Sequence, residues 1–265
     1  MKKYVVLEKP VGQTPLEALR LFQERSPIYK DVPLSYAGRL DPMASGKLLV
    51  LIGEECKKQK KYHGLDKEYV IEVLLDIGTD TGDVLGVSSG ADTVSAFSKE
   101  EIKRALTSVT GKADVPYPVF SSKTVNGKPL FMYALEGTLD SIEIPTHTEE
   151  VYSITHLNTE TVSLPQLKER VFKTLSLVPR TEEASKQLGA DFRQDAVREC
   201  WEKLFTAQGE RTYQIHTLRV SCASGTYMRT LAGRIGEVLG TKGVALSIHR
   251  TRIGSVFGLW LSRKN

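Results

Sequence analysis

The chain predicts an α+β fold, a central mixed or antiparallel sheet flanked by helices, and three observations carry that prediction. Long runs such as Tyr69, Ile71, Val73, Leu75 and Ile77 alternate apolar residues with Val70, Glu72 and Asp76, the two-residue period of a half-buried strand. Between such runs lie segments of helical spacing, two of them opened by capping boxes at Thr14 and Ser98. No repeat or low-complexity tract interrupts the mixture, and strands that meander with helices between them pack as α+β. With 265 residues, 40% hydrophobic and 26% charged, the chain can bury a sizeable core as one elaborated domain or two closely joined ones.

Residues 4–8 read as the first strand. Thr14-Pro15-Leu16-Glu17 then combines a capping box with proline at the first helical position, opening an amphipathic helix to about Ser26. Residues 27–46 read as loop, and the apolar run 48–52 as a short buried strand. After the strand at 67–77 and a turn-rich stretch at 79–90, Ser98-Lys99-Glu100-Glu101 starts a helix that should stop at Gly111. Residues 116–129 form a loop or hairpin, 130–136 two helical turns ending at Gly137, and 141–162 strands. Thr212 to Cys222 is a strand whose apolar phase slips between Ile215 and Leu218, read as a bulge. A last helix over 227–239 closes at Gly240, followed by strands near 244–248 and 255–260.

Between two of these strands lies a segment, 164–208, in which Leu167, Val171 and Leu175, then Val197, Cys200, Trp201 and Leu204, fall at helical spacing. It reads as two amphipathic helices inserted into the main domain, which then comprises 1–163 and 209–265.

Composition excludes several classes. No run reaches the roughly 18 apolar residues of a membrane span, and charge returns at Glu8 after the first short apolar run, so neither span nor signal peptide is expected and the protein should be cytoplasmic. Cys56, Cys200 and Cys222 are odd in number and far apart, and the five histidines show no ligand-like pairing, so no disulfide framework and no metal are expected. Net charge of +4 permits nucleic acid without demanding it. Lys57, Lys58, Lys60 and Lys61, with Arg219, Arg229, Arg234, Lys242, Arg250 and Arg252, read either as solvated faces or as a phosphate track.

Gly38-Arg39-Leu40-Asp41-Pro42-Met43-Ala44-Ser45-Gly46 puts one carboxylate into a tight loop running straight into the apolar strand. Pro42 cannot donate to a ladder, and Gly38 and Gly46 permit backbone angles other residues resist, so a rigid sheet can present Asp41 to a cleft. Asp before Pro is also an ordinary turn starter that bonds its own backbone.

Gly-x-Leu-Asp-Pro-x-Ala-Ser-Gly-x-Leu resembles the active-site motif of the TruB family of RNA pseudouridine synthases, and further pieces arrive in that family's order. Leu7-Glu8-Lys9-Pro10-Val11-Gly12 resembles its Asp-Lys-Pro-x-Gly segment, packed beneath the active site. Asp66-Lys67-Glu68-Tyr69 with Gly78-Thr79-Asp80-Thr81-Gly82-Asp83 resembles its second motif. Pro116 to Lys123, with Asn126-Gly127-Lys128 and Tyr133-Ala134, resembles its Pro-Pro-x-x-Ser-Ala-x-Lys hairpin. Ser224-Gly225-Thr226-Tyr227-Met228-Arg229-Thr230-Leu231 is similar to its Gly-Thr-Tyr-x-Arg-x-Leu motif.

This resemblance implies the pseudouridine synthase fold and an isomerase that converts uridine to pseudouridine by base flipping, with T-loop uridine 55 of tRNA as target and no cofactor. It implies Asp41 as nucleophile, Arg229 as its charge partner and Tyr69 as the platform under the base. Tyr36, Tyr227, Ile248, Lys9 and Arg39 would be substrate contacts, the T arm of tRNA the partner, and a monomer the active form.

The chain departs from the family pattern in three places. Tyr36 stands where the family has a histidine that holds the flipped nucleotide, and Arg39 gives the Gly-Arg-Leu-Asp form of two sister families acting on ribosomal and other RNAs. The 164–208 segment replaces a shorter connection, serving either as RNA grip or as a structural or partner-docking elaboration, with Glu169, Glu182, Glu183, Glu199 and Glu202 offsetting its basic residues. The end soon after Ile253-Gly254 leaves no room for the RNA-binding PUA domain that commonly follows. Three rivals stay open: a synthase acting on another structured RNA, a non-catalytic RNA-binding or RNA-folding protein on the same scaffold, and a glycoside hydrolase using Asp80 or Asp83 as second acid.

Overall fold

The computed structural model describes residues 2–91, 96–178, 193–255 and 258–261. In chain order the elements are β1 (Tyr4–Lys9), α1 (Pro15–Glu24), β2 (Leu34–Ala37), β3 (Ala44–Ile52), α2 (Gln59–His63), β4 (Asp66–Leu75), β5 (Ile77–Thr79), β6 (Ser88–Ala91), α3 (Lys99–Ser108) and β7 (Gly111–Pro116). They continue with β8 (Thr124–Val125), β9 (Lys128–Pro129), α4 (Leu130–Glu136), β10 (Thr146–Ser163), α5 (Leu164–Leu177), α6 (Gln194–Ala207), β11 (Thr212–Cys222), α7 (Met228–Val238) and β12 (Gly243–Gly254).

Among the described residues the main sheet runs β1-β3-β12-β4-β11-β10-β7, with β2 added on β3. Its pairings are antiparallel except β3 with β12, where Ile248, His249 and Arg250 lie beside Ala44, Ser45 and Gly46. The sheet is therefore mixed, as expected, with β12 held between β3 and β4. Close approach explains Gly46: its φ is +104°, and a Cβ there would lie 2.3 Å from the Arg250 carbonyl oxygen.

The capping boxes at Thr14 and Ser98 form as read, and Gly137 ends α4 in the left-handed conformation at φ +67°. The run in β3 is apolar throughout because both faces are covered. Leu48 and Val50 pack with Ala18 and Leu19 of α1, while Leu49 and Leu51 pack with Val6, Ala37 and Ile253.

Three readings need correction. The stretch 27–46 is not all loop: β2 pairs Leu34–Ala37 with Leu49–Ile52. Four residues are too few to show a period, and their order comes from a neighbour rather than from propensity. The bulge lies on β10, not β11. Leu157 is the extra residue between the His156–Leu218 and Asn158–Thr217 pairs, whereas β11 runs in even register along β4. The phase slip in β11 comes instead from burial on both faces, with Tyr213 and Ile215 on one and His216, Leu218 and Val220 on the other; His216 Nδ1 meets Thr159 and His156. Near the C-terminus, in place of a strand over 255–260, Gly254 bridges Trp260, residues 256 and 257 lying outside the described residues.

Among the described residues, the 164–208 segment holds two helices, α5 and α6, where their spacing predicts them; Glu182 and Glu183 lie outside the described residues. Leu167, Val171, Leu175, Val197, Trp201 and Phe205 are buried in the same core as Ile71, Leu74 and Val220 of the sheet. The end of α5 also presses on the N-terminal segment, where a Cβ on Gly12 would meet the Leu177 carbonyl oxygen at 1.9 Å.

Candidate active site

A cavity of about 510 Å³ opens where β3, β4 and β12 meet the N-terminus of α7. It is walled by the Asp41 loop, the 81–85 turn, Phe120 to Ser122, and Phe131 and Leu135 of α4. The size suits one nucleotide base with its sugar.

Asp41 sits at its rim with the side chain 45% exposed, on a turn closed by the Ala44 N–H donating to the Asp41 carbonyl at 2.9 Å. Gly12 N–H donates to the Pro42 carbonyl at 2.8 Å, pinning the loop from below. Arg250, 1% exposed, holds its near side: Nε donates to the Lys47 carbonyl at 2.7 Å, and Nη1 and Nη2 to those of Arg39 and Gly38 at 3.2 Å each.

Arg229 reaches Asp41 from the first turn of α7, its Nε 2.9 Å from Asp41 Oδ2. Its other nitrogens donate to the Thr81 carbonyl at 2.8 Å and the Phe120 carbonyl at 3.2 Å, so the guanidinium is oriented on three sides. Burial opposes the charge, but Asp41 and Asp83 outweigh it and hold the Arg229 pKa above its ordinary value.

Asp83, the last residue of the second motif and a rival second acid, stands 3.6 Å from the same Nε with its side chain 5% exposed. Its Oδ1 accepts from the Thr81 hydroxyl at 2.7 Å and the Leu85 N–H at 2.9 Å. Desolvation by burial pushes its pKa up to about 6, against the opposing pull of Arg229 and Thr81. From about pH 4, where the unfolded chain releases this proton, to about pH 6, where the folded chain does, stability therefore falls as pH rises. On the order of 3 kcal/mol of that fall is expected to vanish in Asp83→Asn, read as a flatter dependence of urea-unfolding free energy on pH between 4 and 6.

Tyr69 of β4 and Ile248 of β12, 8% and 5% exposed, line the cavity floor, and exposed Arg39 lines its mouth. Tyr227 also lines it; its N–H donates to buried Glu149 at 2.8 Å, and its ring stands edge-on to Tyr117 and His147, which stack at 4.0 Å. Lys67 lines the wall with Nζ donating to Ser224 Oγ at 2.8 Å, its pKa lowered by burial to about 8. Together Arg39, Lys67, Arg193, Arg229 and Arg250 face Asp41 and Asp83, a positive balance suited to an anionic substrate.

Two expected contacts are placed elsewhere. Tyr36 is not among the lining residues; alternation along β2 turns its ring toward Ala18, Leu19 and Val50. Lys9 is fully buried, and its Nζ donates to the Pro10 and Gln13 carbonyls at 2.9 and 2.8 Å, so it supports the loop beneath the site and cannot touch a substrate. Asp83 and Arg250 were missed as partners because their roles come from burial; the turn-rich 79–90 stretch was the available signal. Among the described residues no group of three or more His, Cys, Asp or Glu side chains could hold a metal ion, and no helix is long and apolar enough to cross a membrane.

This mixed sheet with its flanking helices has the pseudouridine synthase fold, as the comparisons with solved structures and the family model show. A crystal structure of a Cbf5-Nop10-Gar1 complex superposes with a TM-score of 0.54 at 17% identity, covering 94% of this chain and 48% of that one. The chain belongs to the TruB family: the TruB family pseudouridylate synthase N-terminal domain matches residues 28–171. The tRNA pseudouridine synthase B of Listeria monocytogenes is 31% identical over 221 residues, 83% of this chain and 57% of the relative. That of Aromatoleum aromaticum is 28% identical over 250 residues, 94% of this chain and 62% of the relative. The chain thus spans less than two thirds of the length of these curated relatives.

Proposed function

We propose that this chain isomerises uridine to pseudouridine in tRNA, at uridine 55 of the T loop. The observation that carries the proposal is the 2.9 Å pair between Asp41 and Arg229, residues 188 positions apart, inside a base-sized cavity with cationic walls. The reaction breaks the bond from C1′ to N1 and makes one from C1′ to C5. N1 gains a proton and C5 loses one, so no oxidant or cofactor is consumed.

A duplex hides the target atoms, so the nucleotide must leave its stack and enter the cavity. Asp41 then serves as nucleophile, aimed by the Arg229 guanidinium. The Tyr69 ring offers a face that tolerates in-plane turning of the detached uracil, with Ile248 and Tyr227 as side walls. Arg39 at the cavity mouth would meet phosphate of the entering strand.

The test incubates pure protein with an unmodified T-arm stem-loop and maps pseudouridine at nucleotide resolution. Product at the T-loop uridine is expected, and RNA affinity should fall about tenfold or more between 50 and 200 mM salt if several phosphates are contacted. Product confined to other RNAs in a total-RNA digest would overturn the choice of substrate, and no product in any RNA would overturn the activity.

A further inference from the structure

The α5–α6 pair lies close to the catalytic pair, and one of its arginines lines the cavity. Arg193, immediately before α6, makes a two-pronged ion pair with Asp80, Nη1 to Oδ2 at 2.7 Å and Nη2 to Oδ1 at 3.0 Å. The same guanidinium lies over the Phe120 ring, 4.4 Å from its centroid. These two partners are informative. Asp80 precedes Thr81, and the Thr81 and Phe120 carbonyls are the two that hold Arg229. The outer arginine therefore clamps, through side chains, the two loops that the inner arginine bonds through their backbones.

The helix behind Arg193 is anchored along the same turn. Trp201 Nε1 donates to the Val84 carbonyl at 3.1 Å, and Cys200 Sγ lies 3.6 Å from the Ser88 carbonyl. Gln194, buried, donates to the Val178 carbonyl at 2.9 Å, joining the start of α6 to the end of α5. Arg193 itself sits in the left-handed region at φ 55°, ψ 37°, a conformation that costs a non-glycine residue and persists where its surroundings demand it. An exposed ion pair is usually worth little, but this one is bidentate, stacked on a ring and only 27% and 35% exposed.

We infer that Arg193 is a positioning residue for the reaction. Through it the α5–α6 pair locks the 80–84 turn to the Phe120 loop and so fixes the angle at which Arg229 meets Asp41. This rests on the proposed activity, and the test separates the two. Single-turnover pseudouridine formation, KM and RNA affinity are measured for wild type, Arg193→Ala, Arg193→Lys and the double variant Arg193→Ala with Asp80→Asn. Amide hydrogen exchange is followed over 80–87 and 118–122 in each.

Arg193→Ala should lower the single-turnover rate about tenfold or more, because small misplacements near reacting groups are costly, with RNA affinity within about twofold of wild type. Lysine should restore little, since it lacks the planar fork. The double variant should be no slower than the single one, because the two substitutions remove one interaction. Exchange should rise in both loops together. An unchanged rate in Arg193→Ala, or a loss confined to RNA affinity, overturns the inference and in the second case makes Arg193 a phosphate contact. If wild type itself forms no product, the activity falls, while unchanged exchange in the two loops would still overturn the brace.

Discussion

Asp41→Asn is expected to reduce pseudouridine formation by at least about a thousandfold while leaving RNA affinity within about twofold of wild type. The amide has the carboxylate's shape, and the turn closed by Ala44 N–H uses the Asp41 backbone rather than its side chain, so the loop should keep its conformation. What disappears is the proposed nucleophile and the carboxylate that Arg229 meets at 2.9 Å. Arg229 retains Asp83 at 3.6 Å and two carbonyls, so the pocket should not collapse around an uncompensated charge. Rapid-quench assays with the T-arm stem-loop, paired with filter binding, check both halves. Product at more than a hundredth of the wild-type rate would remove Asp41 from the chemistry.

Trp201→Ala should destabilise the protein by about 3 to 5 kcal/mol, the range for emptying a large buried aromatic site. Trp201 is fully buried, packs against Phe205 with ring centroids 5.4 Å apart, and supplies the indole N–H that satisfies the Val84 carbonyl. The substitution thus leaves both a cavity and an unpaired acceptor, beside the turn that carries Asp83. Equilibrium urea unfolding measures it. A loss under 1 kcal/mol would mean that α6 is not part of the main core.

How much of this was legible in the residues depends on how locally each feature is decided. Thr14 with Glu17, Ser98 with Glu101, and Gly137 announce their helices because cap and partner lie within one turn. β2 is silent because Leu34 to Ala37 owe their order to β3, across the Asp41 loop. Asp41 and Arg229 could be brought together from sequence only through a family resemblance, since no periodicity links positions 188 residues apart. Asp83, Arg250 and Lys67 look like ordinary surface charges; burial gives them their partners, and burial emerges only when distant strands close over them. The placement of Tyr36 turned on which way a four-residue strand faces. Lys9 read as a substrate contact by resemblance, and two carbonyls beneath the loop claim it instead.

The position of β12 has a consequence for the order in which this protein can be built. β12 lies between β3 and β4, which precede it by some two hundred residues. Until it emerges from the ribosome, β3 and β4 carry unsatisfied edges and Ile248 and Arg250 are missing from the cavity. The nascent chain must hold two apolar strands apart for most of its synthesis, a condition that slows folding and exposes sticky surface. The proposed activity should therefore arrive only once β12 slides into the gap, and never as a partial function of the segment made before it.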